Sequence, residues 1–358
     1  MAQTFAAARR VLADAIAERA FPAATIEVGT ASQMLWREAF GRLTFDADAP
    51  SASDDTIFDL ASLTKVLATT PLVMQQVERG ALGLEDFVAR YIDAWRGKDR
   101  VGVTLRDLLA HCSGLPSWRP FFRDLKDPSA SLGTGRAAYE AAICTEPLEY
   151  APRSQSIYSD LDFILLGFIL ERGAPLDERF TAMLAQMGVV EEIQFTPPAP
   201  WHARIAPTEN DPWRGRLLVG EVQDENAWAL GGIAGHAGLF GTVAAVGSCA
   251  RHLMQILDGR TGVVTRSTLE TFVTRRADVP GSSRALGWDT MLPTSSCGTR
   301  MSTRAFGHTG FTGTSLWIDP EQDVYVALLT NRVHPTRANE AIKQVRPAVH
   351  DAVIEDLG

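Results

Sequence analysis

Phe58-Asp59-Leu60-Ala61-Ser62-Leu63-Thr64-Lys65, continued by Val66-Leu67-Ala68-Thr69-Thr70-Pro71-Leu72-Val73-Met74, reads as a short apolar entry and then a helix. The first turn of that helix carries a serine and a lysine three residues apart. Residues i and i+3 share one face of a helix, so the Ser62 hydroxyl and the Lys65 amine can meet. A serine flanked by a lysine at this spacing has a known mechanics, with the serine as nucleophile and the helix N-terminus favouring the negative charge that develops. Taken by itself, the stretch fits a helix cap with a solvated lysine equally well. The rest of the chain separates the two readings.

At 358 residues, with 46% hydrophobic and 22% charged residues, the chain has the composition of an ordinary globular protein and ample material for a core. A net charge of −9 recommends neither a nucleic-acid nor an anionic-membrane partner. The four cysteines (112, 144, 249, 297) lack Cys-x-x-Cys pairing, which predicts buried reduced thiols rather than a zinc knuckle or a disulfide framework. Arg9 and Arg10 follow the first apolar residues and Asp14 and Glu18 come soon after, the wrong order for a secretory signal. No apolar run is long enough to span a bilayer. These features predict a cytoplasmic protein.

Working outward from Ser62, residues 4–19 have the spacing of an amphipathic helix, and 24–29 with 34–40 read as a hairpin across a polar turn. Downstream, glycine and proline punctuation divides the chain into helices at 62–79, 84–95, 104–112, 135–144, 159–171 and 176–187. Residues 189–229, rich in proline and tryptophan, predict an ordered covering loop, and such long loops are often functional. Further helices are expected at 242–257 and 265–276. Strands are expected at 304–309, 314–319 and 324–330, and a final helix at 338–356. The fold class that follows is α/β in the α+β sense: an antiparallel β-sheet flanked by N- and C-terminal helices, with an inserted all-helical domain. The sheet domain would take 1–60 and 231–358, and the helical domain 61–230.

Three other stretches could carry chemistry. Ser156-Ile157-Tyr158-Ser159-Asp160 opens an apolar helix, and a tyrosine there is either a packed aromatic or, beside a lysine, a proton carrier. Phe306-Gly307-His308-Thr309-Gly310-Phe311-Thr312-Gly313 lies at a strand edge where glycines permit close approach by a ligand. Leu108–Pro116 ends a helix, with His111 read as a structural capping residue; His236, amid glycines, is likewise read as structural. The histidines do not fall at metal-ligand spacing, and Gly-x-x-x-x-Gly-Lys is missing, so neither a metal nor a cofactor is called for.

In order and spacing, Ser62-Leu63-Thr64-Lys65, His111–Pro116, Tyr158-Ser159-Asp160, Gly235–Phe240 and His308-Thr309-Gly310 resemble the class C β-lactamase-like serine hydrolases. That superfamily includes β-lactamases, DD-peptidases, D-aminopeptidases and β-lactamase-like carboxylesterases. The resemblance runs from about residue 20 to 335. It implies a β-lactamase/transpeptidase-like fold with the site in the groove between sheet and helices. It also implies Ser62 as nucleophile, Lys65 and Tyr158 as the proton-handling pair, and the main-chain N–H groups of Ser62 and Phe311 as oxyanion hole. Substrate contacts would come from Asp160, His308, Thr309 and Gly310. Two departures bear on substrate. His308 stands where the family often has a lysine, and Asp160 where it often has an asparagine that can donate to an amide carbonyl. Both weaken recognition of a β-lactam or D-Ala-D-Ala terminus.

The expected function is therefore a serine acyl hydrolase acting on a small-molecule ester or amide, with an esterase on short acyl esters favoured. A weak β-lactamase activity is compatible with it, and a β-lactamase, a D-aminopeptidase or a DD-peptidase are the alternatives within the enzyme class. A catalytically silent binding protein of the same fold is the alternative outside it. Trp118, Phe122 and the 189–229 segment are expected to form the substrate walls. The oligomeric state is left open.

Overall fold

The computed structural model describes residues 4–124 and 135–358. Helix α1 (Ala6–Ala17) buries Ala8, Leu12 and Ala15 and turns its arginines outward. Strands β1 (Ala23–Gly29) and β2 (Met34–Gly41) form the N-terminal hairpin, with a bulge at Val28/Gly29. Strand β3 (Phe58–Asp59) leads to Ser62, and the expected helix begins with a π turn, Lys65–Thr69, before continuing as α2 (Thr70–Glu78).

The helix expected at 84–95 does not form; a single 3-10 turn, Val88–Arg90, stands there. The physical reason is long-range pairing. Val88 N donates to Val103 O and Leu105 N to Asp86 O, so this backbone bonds across to the facing segment instead of winding on itself. Helix α3 (Leu105–Leu109) starts at a Thr104/Asp107 capping box and is shorter than expected. Helices α4 (Arg136–Thr145), α5 (Asp160–Glu171) and α6 (Leu176–Met187) follow close to their expected bounds. Helix α5 buries ten of its twelve residues and is the centre of the helical layer.

Segment 189–229 carries more structure than a loop. It holds β4 (Ile193–Phe195), a 3-10 turn Ala199–Arg204, the hairpin of β5 (Asn210–Asp211) with β6 (Arg216–Leu217), and α7 (Glu225–Ala229). Then come β7 (Leu239–Gly241), α8 (Val243–Leu257), α9 (Arg266–Val273), β8 (Asp289–Thr290), β9 (Phe306–Thr309), β10 (Ser315–Asp319), β11 (Val324–Thr330) and α10 (Ile342–Leu357). Strand β8 was not expected, because two residues are too few to show a period.

The main sheet runs β2-β1-β11-β10-β9-β8, antiparallel throughout, so both ends of the chain close one sheet as expected. Alternation sorts its residues by face. Ile26, Val28, Val326 and Leu328 pack under α1 and α10 in one core, whereas Ala327, Leu329, Leu316 and Ile318 join α8 and the helical layer in the other. A second sheet, β3-β7-β4, ties the approach to Ser62 to the 239–241 strand and to the covering segment. The inserted region is thus helical except for β4 and the short β5–β6 hairpin. Among the described residues no helix is long and apolar enough to cross a membrane.

Candidate active site

Ser62 leaves β3 through a tight corner. Ala61 sits at φ +46°, a left-handed conformation costly for a residue with a Cβ, and its N–H is held by Asp59 Oδ1 at 2.8 Å. Asp59 also accepts from Gln223 N at 2.7 Å, and burial, outweighing both N–H bonds, raises its carboxyl to about 6. One turn on, Lys65 is wholly buried and spends three N–H bonds on Asp160 Oδ1 (2.7 Å), Ser62 Oγ (2.9 Å) and the His236 carbonyl (3.0 Å). An ammonium has three donors, so its capacity is filled. Burial works against that charge, but Asp160 and Tyr158 outweigh it and hold the Lys65 pKa above its ordinary value.

Tyr158 comes from the turn before α5 and places its hydroxyl 2.7 Å from Ser62 Oγ. His111 seats it. Its carbonyl accepts from Ile157 N (2.9 Å), its Nδ1 accepts from Ser159 N (3.1 Å), and its ring lies 4.8 Å from the Tyr158 ring. His111 does end α3, in a left-handed conformation at φ +54°, but its larger part is this one, which a reading as helix cap misses. Burial and nearby cations drive its pKa well below the ordinary histidine value, so it is neutral. Burial also raises the Tyr158 pKa, against the opposing pull of Lys65. At neutral pH the pair is therefore ammonium and phenol.

The β9–β10 turn closes the site. Gly310 packs against the chain entering Ser62 so tightly that a Cβ would fall 2.6 Å from Leu60 O, and Thr312 and Thr314 hydroxyls bond the Asp59 and Leu60 carbonyls at 2.7 and 3.0 Å. Among the described residues, neither Ser62 N nor Phe311 N has an acceptor within the protein, which leaves both N–H groups for an oxygen in the cleft. His308 is buried, and its Nδ1 donates to Thr309 O at 2.8 Å, which leaves Nε2 an unpartnered acceptor. Burial and Arg284 push its pKa far down, so the third motif carries no positive charge.

Two cavities meet at Ser62 and Tyr158. One, of about 340 Å³, runs between Trp118 and Asp224; the other, of about 450 Å³, runs past His308 toward α10. Asp160 pairs with Lys65 at the edge of the first. Phe122 needs correcting. It is only 2% exposed and does not line the cavity, because it packs edge-on against Trp213 (4.5 Å) behind the Trp118 ring (6.2 Å). Trp118 is the wall and Phe122 its support. Thr309 and Gly310 line the second cavity.

Several residues of the site went unread. The His236 carbonyl reaches Lys65 because Gly235 lets its loop sit against α5, where a Cβ would fall 2.1 Å from Phe163 O. A main-chain acceptor has no side-chain signature. Gln223, Asp224 and Arg284 also lacked one, although Gln223 and Asp224 fall in the segment expected to cover the site. Among the described residues no group of three or more His, Cys, Asp or Glu could hold a metal, and all four cysteines are free and buried.

A family model described as Beta-lactamase matches residues 8–350. A putative D-alanyl-D-alanine carboxypeptidase of Salmonella gallinarum (strain 287/91 / NCTC 13346) is 31% identical over 325 residues, covering 81% of this chain and 73% of the relative. Among solved structures, EstCE1, a hydrolase with promiscuous acyltransferase activity, superposes with a TM-score of 0.73 at 21% identity over 96% of this chain and 97% of that one. A penicillin-binding protein homologue from Caulobacter crescentus gives 0.76 at 20% identity over 98% and 97%. At these identities the structural likeness speaks for the fold.

Proposed function

The chain belongs to the β-lactamase family of serine hydrolases, and on that premise we propose that it hydrolyses short acyl esters through an acyl-enzyme on Ser62. The observation that carries this reading is the convergence of the Lys65 amine and the Tyr158 hydroxyl on Ser62 Oγ, at 2.9 and 2.7 Å. Once the Lys65–Tyr158 pair has lost one proton it can take that of Ser62. The Ser62 Oγ–carbon bond then forms, and the carbonyl oxygen becomes an oxyanion facing the N–H groups of Ser62 and Phe311. Each donor of this kind is commonly worth about 3 kcal/mol. Collapse breaks the bond to the leaving alcohol, which receives the proton back from the pair. Water repeats the sequence to release the acid. Which of the two holds the proton at each step is a property of the pair rather than of either residue.

Ester rather than β-lactam turnover is supported by the neutral His308 and by Asp160, whose carboxylate is engaged by Lys65 and offers no donor to an amide carbonyl. A second reading, a carboxypeptidase, is supported by Arg284 and Arg346. Both line the cavity past His308, and neither forms an ion pair among the described residues. A leaving group bearing a carboxylate suits them, as does the name of the Salmonella relative. A fluorophosphonate probe separates an enzyme from a silent binding protein, labelling the wild type and not Ser62→Ala. Comparing p-nitrophenyl acetate and butyrate with nitrocefin and D-Ala-D-Ala peptides then ranks the substrates. A higher kcat/KM for nitrocefin or the peptides refutes the esterase assignment.

A further inference from the structure

The cavity between Trp118 and Asp224 has spare hydrogen-bond acceptors and, among the described residues, no spare cation for an anion. Gln223 is only 3% exposed. Its N–H is taken by Asp59, its carbonyl by Arg214, and its Nε2 donates to Glu209 Oε1 at 2.5 Å. A carboxylate accepts, so Nε2 must be the atom facing Glu209 and Oε1 the atom left over. That Oε1 receives no protein donor among the described residues, yet it is not one of the atoms sealed from solvent, and the residue lines the cavity. Beside it, Asp224 Oδ1 accepts from Ala227 N (2.7 Å) and His236 Nε2 (2.8 Å), while Oδ2 has no donor. Burial opposes charge on Asp224, but His236 and the Ala227 N–H prevail and hold its carboxyl at about 2.

His236 is the partner of Oδ1 and leaves Oδ2 free. Asp160 is paired with Lys65, and Arg337, the cation at the rim, is shared by Glu209 and Glu225. Among the described residues the cavity therefore offers free carboxylate and amide oxygens and no free cation, beside the Trp118 ring, a setting that suits an ammonium group. Past Ser62, the other cavity is lined by Arg284 and Arg346. In a peptide-like substrate the free carboxylate lies on the leaving half, so the half facing Asp224 is the acyl half.

We propose that Asp224 and Gln223 form a subsite for a protonated amine carried on the acyl half of the substrate. This rests on the acyl-enzyme reading above, and it makes the preferred substrate an aminoacyl ester or amide. The Asp224 Oδ2 and Gln223 Oε1 atoms take two of the three ammonium hydrogens.

The test compares alanyl, β-alanyl and aminohexanoyl p-nitrophenyl esters, each with its methyl isostere, at neutral pH and low salt. At least one amine position raises wild-type kcat/KM about tenfold over the isostere, and raising the salt or acetylating the amine removes the advantage. Asp224→Asn reduces the ratio to within about twofold, a readout that divides out any general loss of rate. The wild-type comparison stands by itself if that variant does not fold. No preference at any position, with Ser62 still labelled by the fluorophosphonate, overturns the subsite alone. A preference kept by the acetylated amine assigns a neutral donor and also overturns it. Equal loss on both esters in Asp224→Asn makes Asp224 a positioning residue for His236 and overturns it too. Failure to label Ser62 removes the subsite and the hydrolase reading together.

Discussion

Replacing Asp160 by Asn removes one charge 2.7 Å from the buried Lys65 amine and leaves the side chain nearly the same shape. At an effective dielectric constant of about 20, two unit charges at that separation attract by roughly 6 kcal/mol. The carboxylate is 17% exposed, so water already screens part of this, and the full figure is an upper bound. Even a quarter of it moves a titration by about one pH unit, since 1.36 kcal/mol corresponds to one. Burial is the largest influence on Lys65 and acts to lower its pKa; with Asp160 gone, nothing of comparable size opposes it except Tyr158. The Lys65–Tyr158 pair in Asp160→Asn therefore loses its proton at lower pH. The assay is kcat/KM for p-nitrophenyl acetate against pH. The wild type rises through the alkaline range, because both members of the pair have raised pKa values and the base must first be formed. In Asp160→Asn that rising limb moves down by at least about one pH unit. Stability follows the same sign. A lysine whose folded pKa is raised stabilises fully below its unfolded pKa and loses the contribution as pH climbs through the folded value, so the variant gives up part of the stability present at neutral pH. An unmoved or upward-moved limb refutes the claim that Asp160 holds the proton on Lys65.

Other perturbations follow from the same geometry. His111→Ala orphans the buried Ser159 N–H and removes the ring beneath Tyr158, so we expect a loss of about 3 kcal/mol in urea unfolding and a fall in kcat larger than any change in KM. An unchanged kcat in a folded variant refutes the seating role. Gly310→Ala forces a Cβ to within 2.6 Å of Leu60 O and 2.1 Å of Thr314 Oγ1, which must shift the corner before Ser62. Esterase activity drops more than about tenfold, because misplacement on the order of an ångström suffices for that, and wild-type turnover would refute the close approach. Arg284→Ala lowers the preference for acetyl esters of carboxylate-bearing phenols over phenyl acetate about tenfold, and an unchanged ratio removes Arg284 from the leaving-group cavity.

What could be read along the chain was whatever depends on near neighbours. Ser62 and Lys65 share a helix face by their spacing alone, and the short apolar and β-branched runs of β1, β10 and β11 marked strands before any pairing was known. The order of the Ser62, Tyr158 and His308 stretches pointed to the site through the family they resemble. Tertiary structure decided the rest, for one recurrent reason: the decisive partners are distant in sequence and many are main-chain atoms. Lys65 takes its third acceptor from the His236 carbonyl, Tyr158 is seated by His111, and the 84–95 segment pairs across to 103–105 instead of coiling. Phe122 and Trp118 are both aromatic and four residues apart, and nothing local says which faces the cavity; Trp213, brought in by the covering segment, buries one and leaves the other. The free oxygens of Gln223 and Asp224 are likewise what remains once the other polar atoms of those two side chains have found partners, and that accounting exists only in the folded chain.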